Sequence, residues 1–503
     1  MSNTLTVESI QKQRDCLEYR TQAFIDGQSV PAISGDTLDT LNPATGEVLA
    51  KVAACDVEDV DRAVKAARSA FQSGVWSDLA PAERKAIMQR FADLIETHCL
   101  ELALLESLEA GKPIGECFNV DIPDTANTIR WHAEAADKLY EAVAPTPKDV
   151  LATVTREPIG VVAAVLPWNF PAMMAGWKLG PALVTGNSVI LKPAEQTSLS
   201  TIRLAELALE AGIPAGVFNV VTGQGPTAGK AIGLHPDIDL VAFTGSTDTG
   251  RRFLEYSAAS NLKRVVLECG GKNPQIVMPD VSDFSEVAEH VLASAFWNMG
   301  QNCSAGSRLI VHRSIKDALL EELQRQLEAN WHTGDPLDPN VQLGALVEEA
   351  HMQKVLSHIE QARADKLTIL TGGERIHQES GGYFVPPTIV DNVPRDHSIA
   401  RDEIFGPVLA VVTFDTEEEA IEVANATQYG LAASLWSDDL NTVHRMSAAI
   451  KAGTVSVNCF SEGDITTPFG GYKQSGFGGR DKSIYAHDQY CELKTTWIQL
   501  KSI

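Results

Sequence analysis

A thiol stands at Cys303, inside Gly300-Gln301-Asn302-Cys303-Ser304-Ala305-Gly306. Small neighbours flanked by glycines leave it an open approach and nearby backbone N–H donors, which suits a nucleophile. Thirty-five positions earlier a lone carboxylate, Glu268, closes the apolar run Val265-Val266-Leu267 and precedes Cys269-Gly270-Gly271. A carboxylate at the end of a buried strand has a raised pKa and can act as a general base. A thiol paired with a desolvated base implies covalent attack on a carbonyl, followed by attack of water. Taken alone, Cys303 reads equally well as a small buried side chain.

Four further segments carry polar groups at the ends of apolar runs. Phe243-Thr244-Gly245-Ser246-Thr247 joins a strand to a helix; Gly245 allows a tight turn, and Ser246 with the helix N-terminus can hold phosphate. Lys192 and Glu195, in Leu191-Lys192-Pro193-Ala194-Glu195, suit the hydroxyls of an adenosine ribose, and Glu195 would repel a 2′-phosphate. Asn169, between Trp168 and Phe170, offers an amide to a developing oxyanion, although an Asn before Pro171 also suits a helix cap. Glu403 and Phe405, in Glu403-Ile404-Phe405-Gly406-Pro407, present a carboxylate for a second ribose and an aromatic ring for a nicotinamide.

These groups need a frame. Apolar runs at Gly160–Leu166, Ser188–Leu191, Val217–Val221, Leu240–Phe243 and Arg264–Glu268 read as strands of a parallel sheet covered on both faces. Helical stretches at Pro171–Val184, Leu199–Ala211, Thr227–Leu234 and Thr249–Ala259 alternate with them, giving a doubly wound α/β lobe that would bind a dinucleotide at the strands' carboxyl ends. A second alternation follows Cys303: Arg308–Val311, a helix at Ile315–Trp331, then strands at Thr368–Leu370, Thr388–Val390 and Val408–Phe414. The boundary after Glu268 would set base and thiol across a cleft between two lobes.

Composition narrows the partners. A formal charge of −25, from 41 basic and 66 acidic residues, argues against nucleic acid and anionic membrane. The eight cysteines form no C-x-x-C pair and no cluster of zinc spacing, so no metal and no disulfide framework is expected. No apolar run of signal-peptide or membrane-spanning length occurs, so a cytoplasmic setting is expected.

Together these segments resemble the aldehyde dehydrogenase superfamily, in order and spacing, from about residue 23 to residue 500. The resemblance implies Cys303 as nucleophile, Asn169 and the Cys303 N–H as oxyanion donors, and Glu268 as the base for hydrolysis. It implies NAD as cofactor, with Trp168, Lys192, Glu195, Gly245, Ser246, Glu403 and Phe405 around it. The implied organisation is an NAD-binding domain at 21–142 and 160–268, a catalytic domain at 269–480, and oligomerisation segments at 143–159 and 481–503. The last two would form a β-hairpin near Val143–Pro158 and a terminal strand near Glu492–Gln499, so a homodimer or homotetramer is expected. Two departures stand out: Cys269, and Phe477-Gly478-Gly479-Arg480, which is one residue longer than the usual turn.

The passages Trp177-Lys178-Leu179-Gly180-Pro181, Gly463-Asp464 and Asp481-Lys482-Ser483 are similar to the γ-glutamyl-γ-aminobutyraldehyde and ω-aminoaldehyde dehydrogenases of polyamine breakdown. Asp121, Asp124, Glu462 and Asp464 could face a substrate ammonium. Asp121-Ile122-Pro123-Asp124 reads at least as well as a helix cap with proline in the first turn, and Glu462 and Asp464 as a solvated loop. Phe170, Met174, Trp177, Phe296, Trp297 and Phe460 would line a tunnel or belong to the core. A tunnel without charge readers would suit indole-acetaldehyde or medium-chain aldehydes instead.

Overall fold

The computed structural model describes residues 5–501. Five strands, Val161–Val165, Ser188–Lys192, Phe218–Val220, Leu240–Thr244 and Arg264–Glu268, form the parallel centre of an eight-stranded sheet. Four of them are buried end to end, and in Arg264–Glu268 only the first residue is not. That two-sided burial is why they read as unbroken apolar runs rather than alternating ones. In space the fifth strand lies beside the fourth, then come the first, second and third. The chain therefore winds outward in both directions from the neighbouring strands Val161–Val165 and Leu240–Thr244.

Two short antiparallel additions close the sheet. Ala23–Ile25, followed by Gln28–Val30, extends one edge. At the other, Gly476 and Phe477 pair with Glu268 and Leu267. The extra residue near Gly478 is accommodated here: Gly478 has φ of 83°, and a Cβ on it would stand 2.5 Å from the Val265 carbonyl oxygen.

A second sheet of seven strands runs, in spatial order, Thr368–Thr371, Thr388–Asp391, Val408–Phe414, Arg308–His312, Pro274–Val277, Ala432–Trp436 and Thr454–Val457. Only its first pair is antiparallel. Each sheet has its own apolar core. A third sheet joins Ala142–Val143, Val150–Pro158 and Cys491–Gln499, the last two in antiparallel register over nine residue pairs. Residues 502–503 of the expected assembly segment lie outside the described residues.

Two sequence expectations change. The helix expected over 227–234 is a π-helical turn, Gly225–Gly229, followed by a short α-helix, Lys230–Leu234. Asp121 does not begin a helix: a π-helical turn at Cys117–Asp121 runs straight into Ile122–Ala135, and its carboxylate makes no cap. Among the described residues no helix is long and apolar enough to cross a membrane.

Candidate active site

Where a doubly wound sheet reverses its winding, a crevice opens beyond the carboxyl ends of the two diverging strands. Here the loop Leu166–Phe170 leaves Val161–Val165, and Gly245-Ser246 leaves Leu240–Thr244. A cavity of about 240 Å³ occupies that crevice. Trp168, Asn169, Phe170, Met174, Trp177, Gly245, Ser246, Glu268, Cys303, Glu403, Phe405 and Glu462 all line it. Residues spread over 295 positions of sequence thus meet at one site.

The loop that carries Cys303 is held under backbone strain. Asn298 and Met299 adopt left-handed φ of 51° and 56°, a conformation that costs a non-glycine residue free energy. Gly300 follows with φ of 66°, and a Cβ there would stand 2.3 Å from the Gly406 carbonyl oxygen. The Cys303 carbonyl accepts from Asn273 Nδ2 at 2.8 Å, while among the described residues its N–H has no partner. Asn169 donates from Nδ2 to the Gln301 carbonyl at 2.9 Å, and Asn298 Nδ2 donates to the Asn169 carbonyl at 3.0 Å. The Asn169 side chain therefore faces the thiol's loop and does not cap the helix Pro171–Val184. Its second amide hydrogen and the Cys303 N–H remain for an oxyanion. Burial pushes the thiol's pKa well up, and the carboxylates of Glu462, Glu403 and Glu268 push it further.

Glu268 is 2% exposed, and neither of its side-chain oxygens has a side-chain partner. Burial raises its pKa well above the ordinary range; Asp481 adds to the rise, while Lys178 and Arg480 oppose it. A Cβ on Gly470 would stand 2.6 Å from Glu268 Oε1, so glycine there keeps room beside the carboxyl. Lys178 and Asp481 form a buried ion pair that composition alone does not single out. Cys269, the departure noted in the sequence, is buried at the same cavity with its thiol pushed up to about 12.

Ser246 caps the helix Thr247–Ala258, its Oγ accepting from Thr249 N at 3.3 Å. Beside it, Thr244 Oγ1 is buried without a partner. Phe405 sits at φ of 61°, its ring 5.3 Å from that of Trp168 and edge-on. Glu403 turns inward to accept from Gly271 N at 2.9 Å, and burial raises it to about 7. Lys192 is buried, with Nζ donating to the Pro193 carbonyl and standing 3.7 Å from Glu195 Oε2. Glu195 lines a second cavity with Gln224 and Glu348, apart from the one that holds Cys303. The orphaned hydroxyl, the aromatic pair and the carboxylates on either side fit an elongated dinucleotide such as NAD.

The expected substrate residues divide. Glu462 Oε1 accepts from Asn302 Nδ2 at 2.8 Å and from Ser304 Oγ, the two neighbours of Cys303. Its other oxygen makes no hydrogen bond among the described residues. Asp124 is off the cavity lining, behind Trp177, whose Nε1 donates to it at 3.1 Å; Lys482 Nζ lies 4.3 Å from the centroid of the Trp177 ring. Asp121 is a correction: it is fully buried, ion-paired with Lys112, and lines no part of the cavity. Asp464 is exposed and folds back on Thr466, and Phe460 is also off the cavity lining, with its N–H on His290. Phe296 belongs to the second lobe's core, and Trp297 packs on Phe170 while donating to Glu116. His351 and Lys354, which no motif flagged, complete the wall near Phe405.

The sequence matches the aldehyde dehydrogenase family over residues 30–496. The chain belongs to that family and is an aldehyde dehydrogenase. It is 57% identical over 498 residues to an aminoacetaldehyde dehydrogenase of Pseudomonas aeruginosa, covering 99% of each chain. Its structure superposes with a TM-score of 0.97 on an indole-3-acetaldehyde dehydrogenase solved with NAD+, at 54% identity, over 99% of this chain and 100% of that one. A γ-glutamyl-γ-aminobutyraldehyde dehydrogenase from Burkholderia cenocepacia superposes at 0.96, with 52% identity and coverage of 99% and 100%.

Proposed function

We propose that this enzyme oxidises an aldehyde to its carboxylic acid with NAD, through a covalent intermediate on Cys303. The observation that carries the reading is the meeting of Cys303, Asn169 and Glu268 at one cavity under the switch point of the sheet. The Cys303 thiol gives its proton to Glu268, which releases it to solvent, as Sγ adds to the carbonyl carbon; the new oxyanion takes hydrogen bonds from Asn169 Nδ2 and the Cys303 N–H. NAD, when bound, supplies the acceptor for the hydride of the former aldehyde carbon. Trp168, Gly245, Ser246, Glu403 and Phe405 would hold its nicotinamide end and phosphates, and Lys192 and Glu195 its adenosine. Glu268 then takes a proton from the water that releases the acid from the Cys303 thioester.

The substrate is an aldehyde carrying an amine or amide, of the ω-aminoaldehyde or γ-glutamyl-aminobutyraldehyde kind met in polyamine catabolism. Glu462, a carboxylate on the wall of the aromatic cavity, supports this, and so do the names of two of the relatives. The runner-up is an apolar aldehyde such as indole-acetaldehyde, favoured by Phe170, Met174 and Trp177 on the cavity wall. The lobes at 21–142 with 160–268 and at 269–480 are read as NAD-binding and catalytic. The segments 143–159 and 481–503 serve assembly of a cytoplasmic homodimer or homotetramer; Leu493, Trp497 and Ile498 are exposed on the long antiparallel pair. NADH formation on mixing with a panel of purified aldehydes tests the reaction, and sedimentation tests the assembly.

A further inference from the structure

Two buried carboxylates on one helix are bonded to the helices that follow the two site loops: Glu106 lies off the Cys303 cavity, and Glu109 stands on the wall of the cavity that Glu195 lines. The helix Cys99–Ala110 buries Glu106 and Glu109, one turn apart. Glu106 Oε1 accepts from Ala172 N at 2.5 Å, in the first turn of Pro171–Val184. Glu109 Oε2 accepts from Leu199 N at 2.8 Å, and its Oε1 from Ser200 N and Ser200 Oγ at 3.2 Å each, in the first turn of Leu199–Ala211. Neither helix has a side-chain cap of its own, at Phe170 or at Ser198. First-turn N–H groups buried without acceptors are costly, so both helices depend on caps delivered by a distant third.

The two helices start at the two loops that matter. Pro171–Val184 begins two residues after Asn169, and Leu199–Ala211 begins four after Glu195. Beyond Glu106, Lys112 Nζ lies 3.8 Å from the centroid of the Phe170 ring and pairs with Asp121. The oxyanion loop is thus gripped from both sides, by Glu106 at Ala172 and by Lys112 at Phe170. Glu106 Oε2 and Asp121 Oδ1 are both buried without partners. One oxygen of Glu106 and one of Asp121 lie within 4.8 Å of each other, and burial raises Glu106 to about 8.

We propose that Glu106 and Glu109 are positioning residues with separate duties on the reaction described above. Glu106, helped by Lys112, sets Asn169 for the oxyanion; Glu109 sets the Lys192–Glu195 turn for the adenosine end of NAD. The reading rests on the proposed function, since it assigns each carboxylate to one half of that site.

The test uses the full-length enzyme and the variants Glu106→Leu, Glu106→Gln, Glu109→Gln and Ser200→Ala. NAD affinity is measured by calorimetry, kcat at saturating NAD and aldehyde, and Tm alongside. Glu106→Leu should lower kcat about 10- to 100-fold, because a misplaced donor costs transition-state stabilisation, with NAD affinity within about two-fold of wild type. Glu106→Gln should recover most of kcat, since its amide oxygen still accepts from Ala172 N. Glu109→Gln should weaken NAD binding about ten-fold and Ser200→Ala about three-fold, with kcat held within about three-fold. If Glu106→Leu does not fold, Lys112→Met replaces it, with the same split expected. The proposal fails if kcat and NAD affinity fall together in step with Tm, or if neither moves. It also fails if Glu106→Gln is as damaging as Glu106→Leu. A wild-type enzyme that makes no NADH with any aldehyde would remove the underlying reading and the Glu106 half with it, whereas the calorimetry would still judge Glu109.

Discussion

Lys178 Nζ and Asp481 Oδ2 form a buried ion pair at 2.5 Å, and the two partners act in opposite senses on Glu268. Asp481 raises the pKa of the Glu268 carboxyl and Lys178 lowers it. Glu268 serves as a base only when ionised, so hydrolysis of the acyl-enzyme should quicken as pH rises through its elevated pKa. Asp481→Asn leaves Lys178 unopposed and should move that limb to lower pH; Lys178→Met should move it higher. Breaking the buried pair should also cost about 3–5 kcal/mol of stability. Stopped-flow measurement of thioester hydrolysis against pH checks this, and an unmoved limb in both variants would count against it.

Removing the thiol should separate chemistry from binding. Cys303→Ala should form no NADH yet bind NAD with near-normal affinity, whereas Glu268→Gln should accumulate a stoichiometric acyl-enzyme. Mass spectrometry of the quenched Glu268→Gln protein detects the adduct. Substantial turnover by Cys303→Ala would end the assignment of the nucleophile.

Glu195 should disfavour a cofactor carrying a 2′-phosphate. Two negative groups at a partly exposed site repel modestly, so kcat/KM for NADP should be about ten-fold below that for NAD. Glu195→Gln should narrow the gap. Equal efficiency with both cofactors, unchanged in the variant, would mean that Glu195 does not face the ribose.

Substrate charge should be read at Glu462 and Asp124 and not at Asp464. Glu462→Gln and Asp124→Asn should each lower kcat/KM for 4-aminobutyraldehyde by up to about five-fold, an effect that weakens with salt, and should spare hexanal. Asp464→Asn should be silent. If hexanal or indole-acetaldehyde is the best substrate of the wild type, and Glu462→Gln changes nothing, the amine-bearing class is wrong.

The parallel sheet and the residues that meet at the cavity were legible in the sequence for the same physical reason. Strands covered on both faces must be continuously apolar, so a lone Glu268 ending such a run stands out, as does a thiol among glycines. Lys178 and Glu106 escaped because a charged residue within an apolar helix looks like its solvent face. Here those side chains point inward, Lys178 to Asp481 and Glu106 to Ala172, across distances that no local pattern records. Asp121 misled because Asp-x-Pro-Asp is a good cap sequence, yet a π-helical turn carries the helix past it. Glu462 and Asp464 are two residues apart and alike in type; only the fold sends one to Asn302 and the other back to Thr466.

The short pairing of Gly476 and Phe477 with Glu268 and Leu267 laces the end of the second lobe into the first lobe's sheet. Cys269 N adds a bond to the Ser475 carbonyl at 2.8 Å. A clamshell opening of the cleft would have to tear this seam at the very strand that ends in Glu268. The amides of Glu268 and Phe477 should accordingly be among the slowest in the molecule to exchange with deuterium, and should stay so throughout turnover.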